Sequence, residues 1–321
     1  MIARYTELIE HEIRTLNLPS QPDNLYSPIG YFLGLGGKRM RPVMCLMTAE
    51  MYGNMEQAIG AAMGIELFHN FTLIHDDIMD DAPLRRNMPT IHSKWNRDVA
   101  ILSGDTTFVL AMQQVLSSQN EYLPHLLKVF LKTAAEVCEG QQMDMDFQLK
   151  EQITAAEYLE MIRLKTAVLL GCSMKMGAIA AGAPVEEAVK CYHFGESLGL
   201  AFQMRDDYLD LFGNPEIFGK TQGGDILAGK KTLMVIHAFQ KCNSKDAEIL
   251  KAALYDKSMP DEQRIENAKK IIKDCGSDVY LHHEIDKNVE TTFRVLNEIN
   301  ADNKVLENLR ALTNQLLTRE A

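Results

Sequence analysis

Two stretches of the chain hold carboxylates at a spacing that an apolar core would not tolerate. Phe71 to Arg86 reads FTLIHDDIMDDAPLRR, where Asp76, Asp77 and Asp80 form DDxxD, and QMRDDYLD repeats the pattern with Asp206, Asp207 and Asp210. On a helix the first and last Asp of each set are i and i+4, so their carboxylates leave one face about 6 Å apart. Like charges stacked in this way repel. The apolar residues before the first set (Phe68, Phe71, Leu73, Ile74) argue against screening by solvent alone, whereas a cation between the carboxylates removes the conflict. Hard oxygen donors suit Mg²⁺, which keeps part of its water and takes further ligands from substrate phosphates. Two such helices could face each other across one cavity. Asp77 and Asp207 point about 100° from their neighbours, which casts them as braces rather than ligands.

Phosphate chemistry also needs fixed cations, and the chain offers several. In Gly36-Gly37-Lys38-Arg39-Met40-Arg41-Pro42 two glycines let the backbone approach a ligand, and three cations fall within four residues. A solvated basic loop opening a helix is the alternative. His69 lies seven residues before Asp76, on nearly the same face two turns away, although a lone His among Phe and Leu is commonly a core residue. Arg85 and Arg86 follow Pro83, and their planar donors could serve two phosphates or pair with Asp80 and Asp81. Lys165-Thr166 interrupt the apolar LEMIRLKTAVLLG, where a single Lys ordinarily snorkels. Lys220, Lys230 and Lys231 accompany Asp225 in a long polar loop; Gln203, three residues before Asp206, lines the same face or is a structural amide. Together these make two groups. Lys165, Lys220 and Arg85 would surround a metal-chelated diphosphate, and Lys38, Arg41, His69 and Arg86 would hold a second one without metal.

The elements that must position these groups are helices. β-Branched alternation is rare and neither Asn-Gly nor Asp-Gly hairpins occur, while apolar residues recur at helical spacing throughout. The pattern predicts helices at 2–16, 25–34, 40–52, 54–80, 94–117, 121–148, 154–182, 185–212, 229–242, 245–255, 261–284 and 286–318. Such a chain is expected to be an all-α bundle. Length alone would suggest two domains, but the uniform pattern predicts a single domain over residues 1–321. The long segment NPEIFGKTQGGDILAGKK after the second acidic set reads as a lid.

Composition limits the function further. A net charge of −11 argues against nucleic acid as the principal partner, and 46% hydrophobic residues fit a large core. No run reaches the roughly 18 apolar residues of a membrane span; the nearest, 167–183, contains Lys175. The N-terminus reads as an amphipathic helix and not as a signal or transit peptide, so a cytoplasmic protein is expected. Six cysteines without CxxC spacing read as reduced thiols.

With these residues in hand, the sequence resembles the trans-isoprenyl diphosphate synthases of the polyprenyl synthetase family. The resemblance is carried by GGKRMRP (36–42), HNFTLIHDDIMDDAPLRR (69–86), Gly104-Asp105, EGQQMD (139–144), Lys165-Thr166, FQMRDDYLD (202–210) and FGKTQGGDILAGKKT (218–232). It implies a single-domain, mostly antiparallel helical bundle around a deep central cavity, and a homodimer. It implies that isopentenyl diphosphate, held by Lys38, Arg41, His69 and Arg86, joins an allylic diphosphate bound near Asp76, Asp80, Asp206 and Asp210. Three Mg²⁺ ions, with Lys165, Lys220, Lys230 and Arg85 nearby, would neutralise the leaving diphosphate, while Thr166 and Gln203 would orient it and flank the allylic cation. One departure is Asn87, where the family often has Gly, which leaves the loop geometry open.

In that family a bulky residue four or five positions before the first Asp is associated with short products. Here Phe71 is at five before and Thr72 at four before, with Phe68 one turn deeper. The resemblance thus implies geranylgeranyl diphosphate, with farnesyl diphosphate or a longer chain as alternatives. Three rivals exist, the first also an enzyme and the others of different class. A terpene cyclase would not need GGKRMRP and Arg86, a non-catalytic subunit would be expected to lack metal ligands, and a calcium module would show EF-hand spacing.

Overall fold

The computed structural model describes residues 2–118, 121–213 and 222–317. Among them the only strands are a two-residue pair, and everything else regular is helical. The helices are α1 (Ile2–Thr15), α2 (Asp23–Gly34), α3 (Met40–Met51), α4 (Ile59–Met79), α5 (Ile91–Lys94), α6 (Arg97–Leu116), α7 (Leu123–Leu149), α8 (Ala155–Ile162) and α9 (Val168–Ala180). They continue with α10 (Val185–Phe212), α11 (Gly224–Leu227), α12 (Leu233–Lys241), α13 (Ser244–Tyr255), α14 (Asp261–Asp274), α15 (Ser277–Glu298) and α16 (Asn303–Leu317). The all-α expectation holds among the described residues.

The boundaries show which local signals were strong. Thr154 and Glu157 make reciprocal capping bonds that start α8 where expected, and Asn96 caps α6 through the Val99 amide at 2.9 Å. The expected helices 261–284 and 286–318 are instead three. Gly276, at φ 64°, ends α14 and opens α15, and a second break follows Ile299. The expected 94–117 helix is likewise split by Trp95 and Asn96.

Contacts group the chain into two compact units. The first comprises the described residues of 1–134, 172–192 and 300–309. In it α4 and α6 run antiparallel at very short range: a Cβ added to Gly64 would lie 2.4 Å from Val115, and one added to Gly104 would lie 2.3 Å from the His75 ring. Phe32, Ile74, Ile78, Ile91 and Ala100 form one of its apolar clusters, beneath the first acidic set. After α4, β1 (Leu84–Arg85) pairs antiparallel with β2 (Met88–Pro89), a hairpin the sequence pattern did not predict. Its turn is Arg86-Asn87, with φ of 54° and 62°. Both central residues of such a two-residue turn need positive φ, and Asn takes that conformation readily, so Asn87 serves where a glycine would.

The second unit comprises the described residues of 135–171, 193–299 and 310–317. Its core is built from Tyr158, Met161, Ile162, Met204, Leu211 and the buried faces of α12 to α15. Between α8 and α9 the expected helix 154–182 contains a π turn, Arg163–Ala167, centred on Lys165. Glycines make room for it. A Cβ on Gly140 of α7 would sit 2.3 Å from the Lys165 amide nitrogen, and one on Gly199 of α10 would sit 2.6 Å from the Ala167 Cα.

Among the described residues one helix is long and apolar enough to cross a membrane, and it is α6 rather than 167–183; 33% of its apolar window is buried. Substituting Gly140→Ala should destabilise the protein by about 1–3 kcal/mol, because backbone rather than a flexible side chain blocks the added methyl. A urea unfolding midpoint equal to that of the unsubstituted chain would refute this contact.

Candidate active site

In the first unit the acidic set ends α4. Asp76 is partly buried and Asp80 exposed, and the Asp80 amide donates to the Asp76 carbonyl at 2.8 Å, closing the last turn. Carboxylates here sit at the negative end of the helix dipole, so both neighbours and backbone favour a cation. Asp77 faces inward, 2% exposed, and holds Arg85 in a fork: Nε lies 2.9 Å from both carboxylate oxygens and Nη2 2.7 Å from Oδ1. Burial pushes the Asp77 carboxyl upward, and Arg85 pulls it back. The Arg85 partner is thus Asp77, not Asp80 or Asp81, and this bond ties the hairpin to α4.

Of the three cations in GGKRMRP, Lys38 is exposed, Arg41 half-buried and Arg39 buried. Arg39, in a left-handed backbone conformation at φ 48°, turns its fully buried guanidinium inward to Glu66 at 2.6 Å, Glu10 at 2.8 Å and the Leu33 carbonyl at 2.8 Å. Lys38 is exposed, and Arg41 places Nη1 3.0 Å from His69 Nε2. The buried Arg41 Nε has no hydrogen-bond partner in the protein. Burial lowers Arg41 to about 10, and burial with Arg41, Arg86, Arg85 and Arg39 drives His69 well below its ordinary value. A neutral His69 therefore accepts from Arg41. Arg86 packs against the Gly37 backbone, where an added Cβ would be 2.8 Å from its Nη2. Arg41, with its unpartnered Nε, together with Arg86 on the same glycine loop can take an anion.

In the second unit a cavity of about 180 Å³ is lined by Lys165, Thr166, Gln203, Asp206, Asp207, Asp210 and Lys230. The sequence-predicted residues of this half therefore come together, except Lys220, which lies outside the described residues. Asp144, Tyr158 and Asp225 line it as well. Lys165 reaches Asp144 at 2.6 Å, Lys230 reaches Asp225 at 3.2 Å, and the Asp225 amide donates to Asp210 Oδ2 at 3.0 Å. Thr166 donates to Gln203 Oε1 at 3.1 Å, Gln203 Nε2 donates to Asp207 Oδ1 at 2.9 Å, and Tyr158 donates to Asp207 Oδ2. Burial, then Asp225, push the Asp207 carboxyl well above the usual carboxylate range. Even without Asp207, four carboxyl groups against three lysines leave this cavity an excess of negative charge.

The donor chemistry fits a hard divalent cation. The charged groups of this cavity are carboxylates and ammoniums, with no thiolate or imidazole among the lining residues. Among the described residues no three His, Cys, Asp or Glu side chains close on one point. A cation held here would therefore take its remaining ligands from phosphate and water, the habit of Mg²⁺.

The aromatic residues below the first acidic set form a block. Phe71 stacks on Phe108 of α6 at 5.2 Å, and buried Phe68 touches Phe71, Phe108 and Phe130 at 5.5, 5.6 and 5.5 Å. Thr72 donates to the His69 carbonyl at 2.8 Å. Phe108, Phe130, Tyr158 and Asp144 escaped sequence reasoning because each meets its partner across helices; only Asp144, inside EGQQMD, carried any signal.

Two measurements check these assignments. Arg39→Met leaves Glu66 buried without its cation and should cost about 3–5 kcal/mol, whereas Lys38→Ala should change stability by about 0.5 kcal/mol or less; urea denaturation separates them. Because folded His69 binds a proton less readily than unfolded His69, acid favours unfolding. Stability should fall below pH 6.5, by up to about 1.4 kcal/mol per pH unit from this group, and His69→Gln should flatten that slope.

The profile of the polyprenyl synthetase family matches residues 22–272. The geranylgeranyl diphosphate synthase of Methanosarcina mazei is 41% identical over 261 residues, 80% of this chain and 78% of that protein. The geranylfarnesyl diphosphate synthase of Aeropyrum pernix is 36% identical over 313 residues, 94% of this chain and 96% of that protein. A crystal structure of a geranylgeranyl pyrophosphate synthase superposes with a TM-score of 0.94 at 39% identity, covering 100% of this chain and 99% of that one. With DDxxD on α4, DDYLD on α10 and Lys165-Thr166 on the π turn, the chain belongs to the polyprenyl synthetase family, metal-dependent prenyltransferases that act on isoprenoid diphosphates.

Proposed function

We propose that this prenyltransferase joins isopentenyl diphosphate to an allylic diphosphate, head to tail and trans, and that its end product is geranylgeranyl diphosphate. The carrying observation is the cavity in which Asp206 and Asp210 stand with Lys165, Thr166, Gln203 and Lys230. Asp76, Asp80, Asp206 and Asp210 would hold Mg²⁺, which when bound supplies Lewis-acid neutralisation of the leaving diphosphate. Lys165 and Lys230, each held by a carboxylate, add fixed positive charge; Arg85 adds more, aimed by Asp77. Lys220 has the same part in this reading. Charge separation gives an allylic cation. Arg41, Arg86, Lys38 and neutral His69 bind the second diphosphate and hold its double bond for attack. A proton then leaves the adduct to the released diphosphate, which completes growth by five carbons.

The aromatic block supports a short product. Phe71 and Phe108 stack at 5.2 Å and Phe68 packs against both, so a chain growing along α4 from Asp76 would meet these rings. Two named relatives mark the range, one for twenty carbons and one for twenty-five, and a geranylfarnesyl product is the second reading. A homodimer acting in the cytoplasm belongs to the same proposal: α6 exposes Ile101, Leu102, Val109 and Leu116, which a second copy would cover.

Purified protein with Mg²⁺, isopentenyl diphosphate and dimethylallyl, geranyl or farnesyl diphosphate should accumulate a twenty-carbon product, and chelation should abolish it. Phe71→Ala and Phe108→Ala should each extend the product by one or more five-carbon units. Unchanged product length in both variants would displace the floor from this block, and absence of condensation with every primer would point to a non-catalytic subunit.

A further inference from the structure

We propose that Tyr158 is a positioning residue whose hydroxyl, through Asp207, fixes which end of the Gln203 amide meets the reacting carbon. The inference deepens the proposed prenyl transfer and rests on that reading of the cavity.

The chain of bonds has a direction. Tyr158, 2% exposed, donates its hydroxyl hydrogen bond to Asp207 Oδ2. Oδ1 accepts from the Gln203 amide nitrogen at 2.9 Å, since an unprotonated carboxyl oxygen admits only a donor. The carbonyl oxygen is thereby turned toward Thr166, whose hydroxyl donates to it at 3.1 Å. All four residues line the cavity with Lys165. A carbonyl oxygen presents the negative end of a dipole, which stabilises a developing carbocation, whereas the amide NH₂ in its place would oppose one. Nothing in Gln203 alone chooses between these orientations.

The π turn is what brings the two hydroxyls to one chain. Eight residues of undisturbed α-helix would leave Thr166 about 80° around from Tyr158. The turn at Arg163–Ala167 absorbs one residue, about 100° of rotation. Thr166 then faces α10 with Tyr158, while Lys165 faces Asp144 on α7.

The test is steady-state kinetics of a single condensation for Tyr158→Phe, Gln203→Leu and the double variant, with melting temperatures measured alongside. Tyr158→Phe should lower kcat about tenfold or more and leave both KM values and the melting temperature near those of the unsubstituted enzyme. On the Gln203→Leu background it should cost nothing further. Tyr158→His, which retains a donor toward Asp207, should recover part of the loss. If Tyr158→Phe folds poorly, Tyr158→His, which should retain part of kcat on the native background and be silent on the Gln203→Leu background, takes its place. Full activity of Tyr158→Phe, a loss carried by KM, or equal losses on both backgrounds would overturn the assignment alone. An unsubstituted protein that catalyses no condensation would overturn the functional reading and this assignment together.

Discussion

Like charge held at helical spacing is the constraint that governs this protein. Asp76 and Asp80, and Asp206 and Asp210, are pairs of carboxylates one turn apart. The neighbouring acids are already answered from within the protein: Asp77 by Arg85, Asp144 by Lys165, Asp225 by Lys230, Asp207 by Tyr158 and Gln203. These internal partners hold the surrounding groups in fixed orientations. A site arranged in advance pays little reorganisation when charge separates, which is the main electrostatic advantage an enzyme has over water.

The second determinant is how closely backbones approach. Gly140 and Gly199 let α7 and α10 close on the π turn, and the turn in turn brings Thr166 round to the side of Tyr158. Gly64 and Gly104 do the same for α4 and α6, which brings Phe108 against Phe71. In both units, residues with no side chain decide where the functional side chains stand.

Much of this was legible in the sequence, and the exceptions share a cause. The acidic sets, the Arg pair, Lys165-Thr166 and Gln203 are local patterns whose residue types have few other uses at such spacing. Arg39 could not be told from Lys38 and Arg41, because its inward turn depends on Glu66 and Glu10, residues distant in the chain. The hairpin was missed since its turn uses Arg-Asn in place of the usual Asn-Gly. Helix type could be read for 154–182 but not the π turn inside it, as periodicity over one turn cannot register a single extra residue. Phe108 and Phe130 are ordinary apolar residues until α4 is laid beside them.

The hairpin also restricts how this stretch of the gene can vary. Arg85 closes β1 and is fastened to Asp77, while the next residue, Arg86, occupies the turn and lies on Gly37. Side chains alternate in direction along a strand, so one inserted or deleted residue between Leu84 and Pro89 would exchange the directions of everything beyond it. Substitutions can be absorbed there one at a time, as Asn87 illustrates, but changes of length cannot. In related chains, gaps should be rarer across these six positions than their exposure at the surface would suggest.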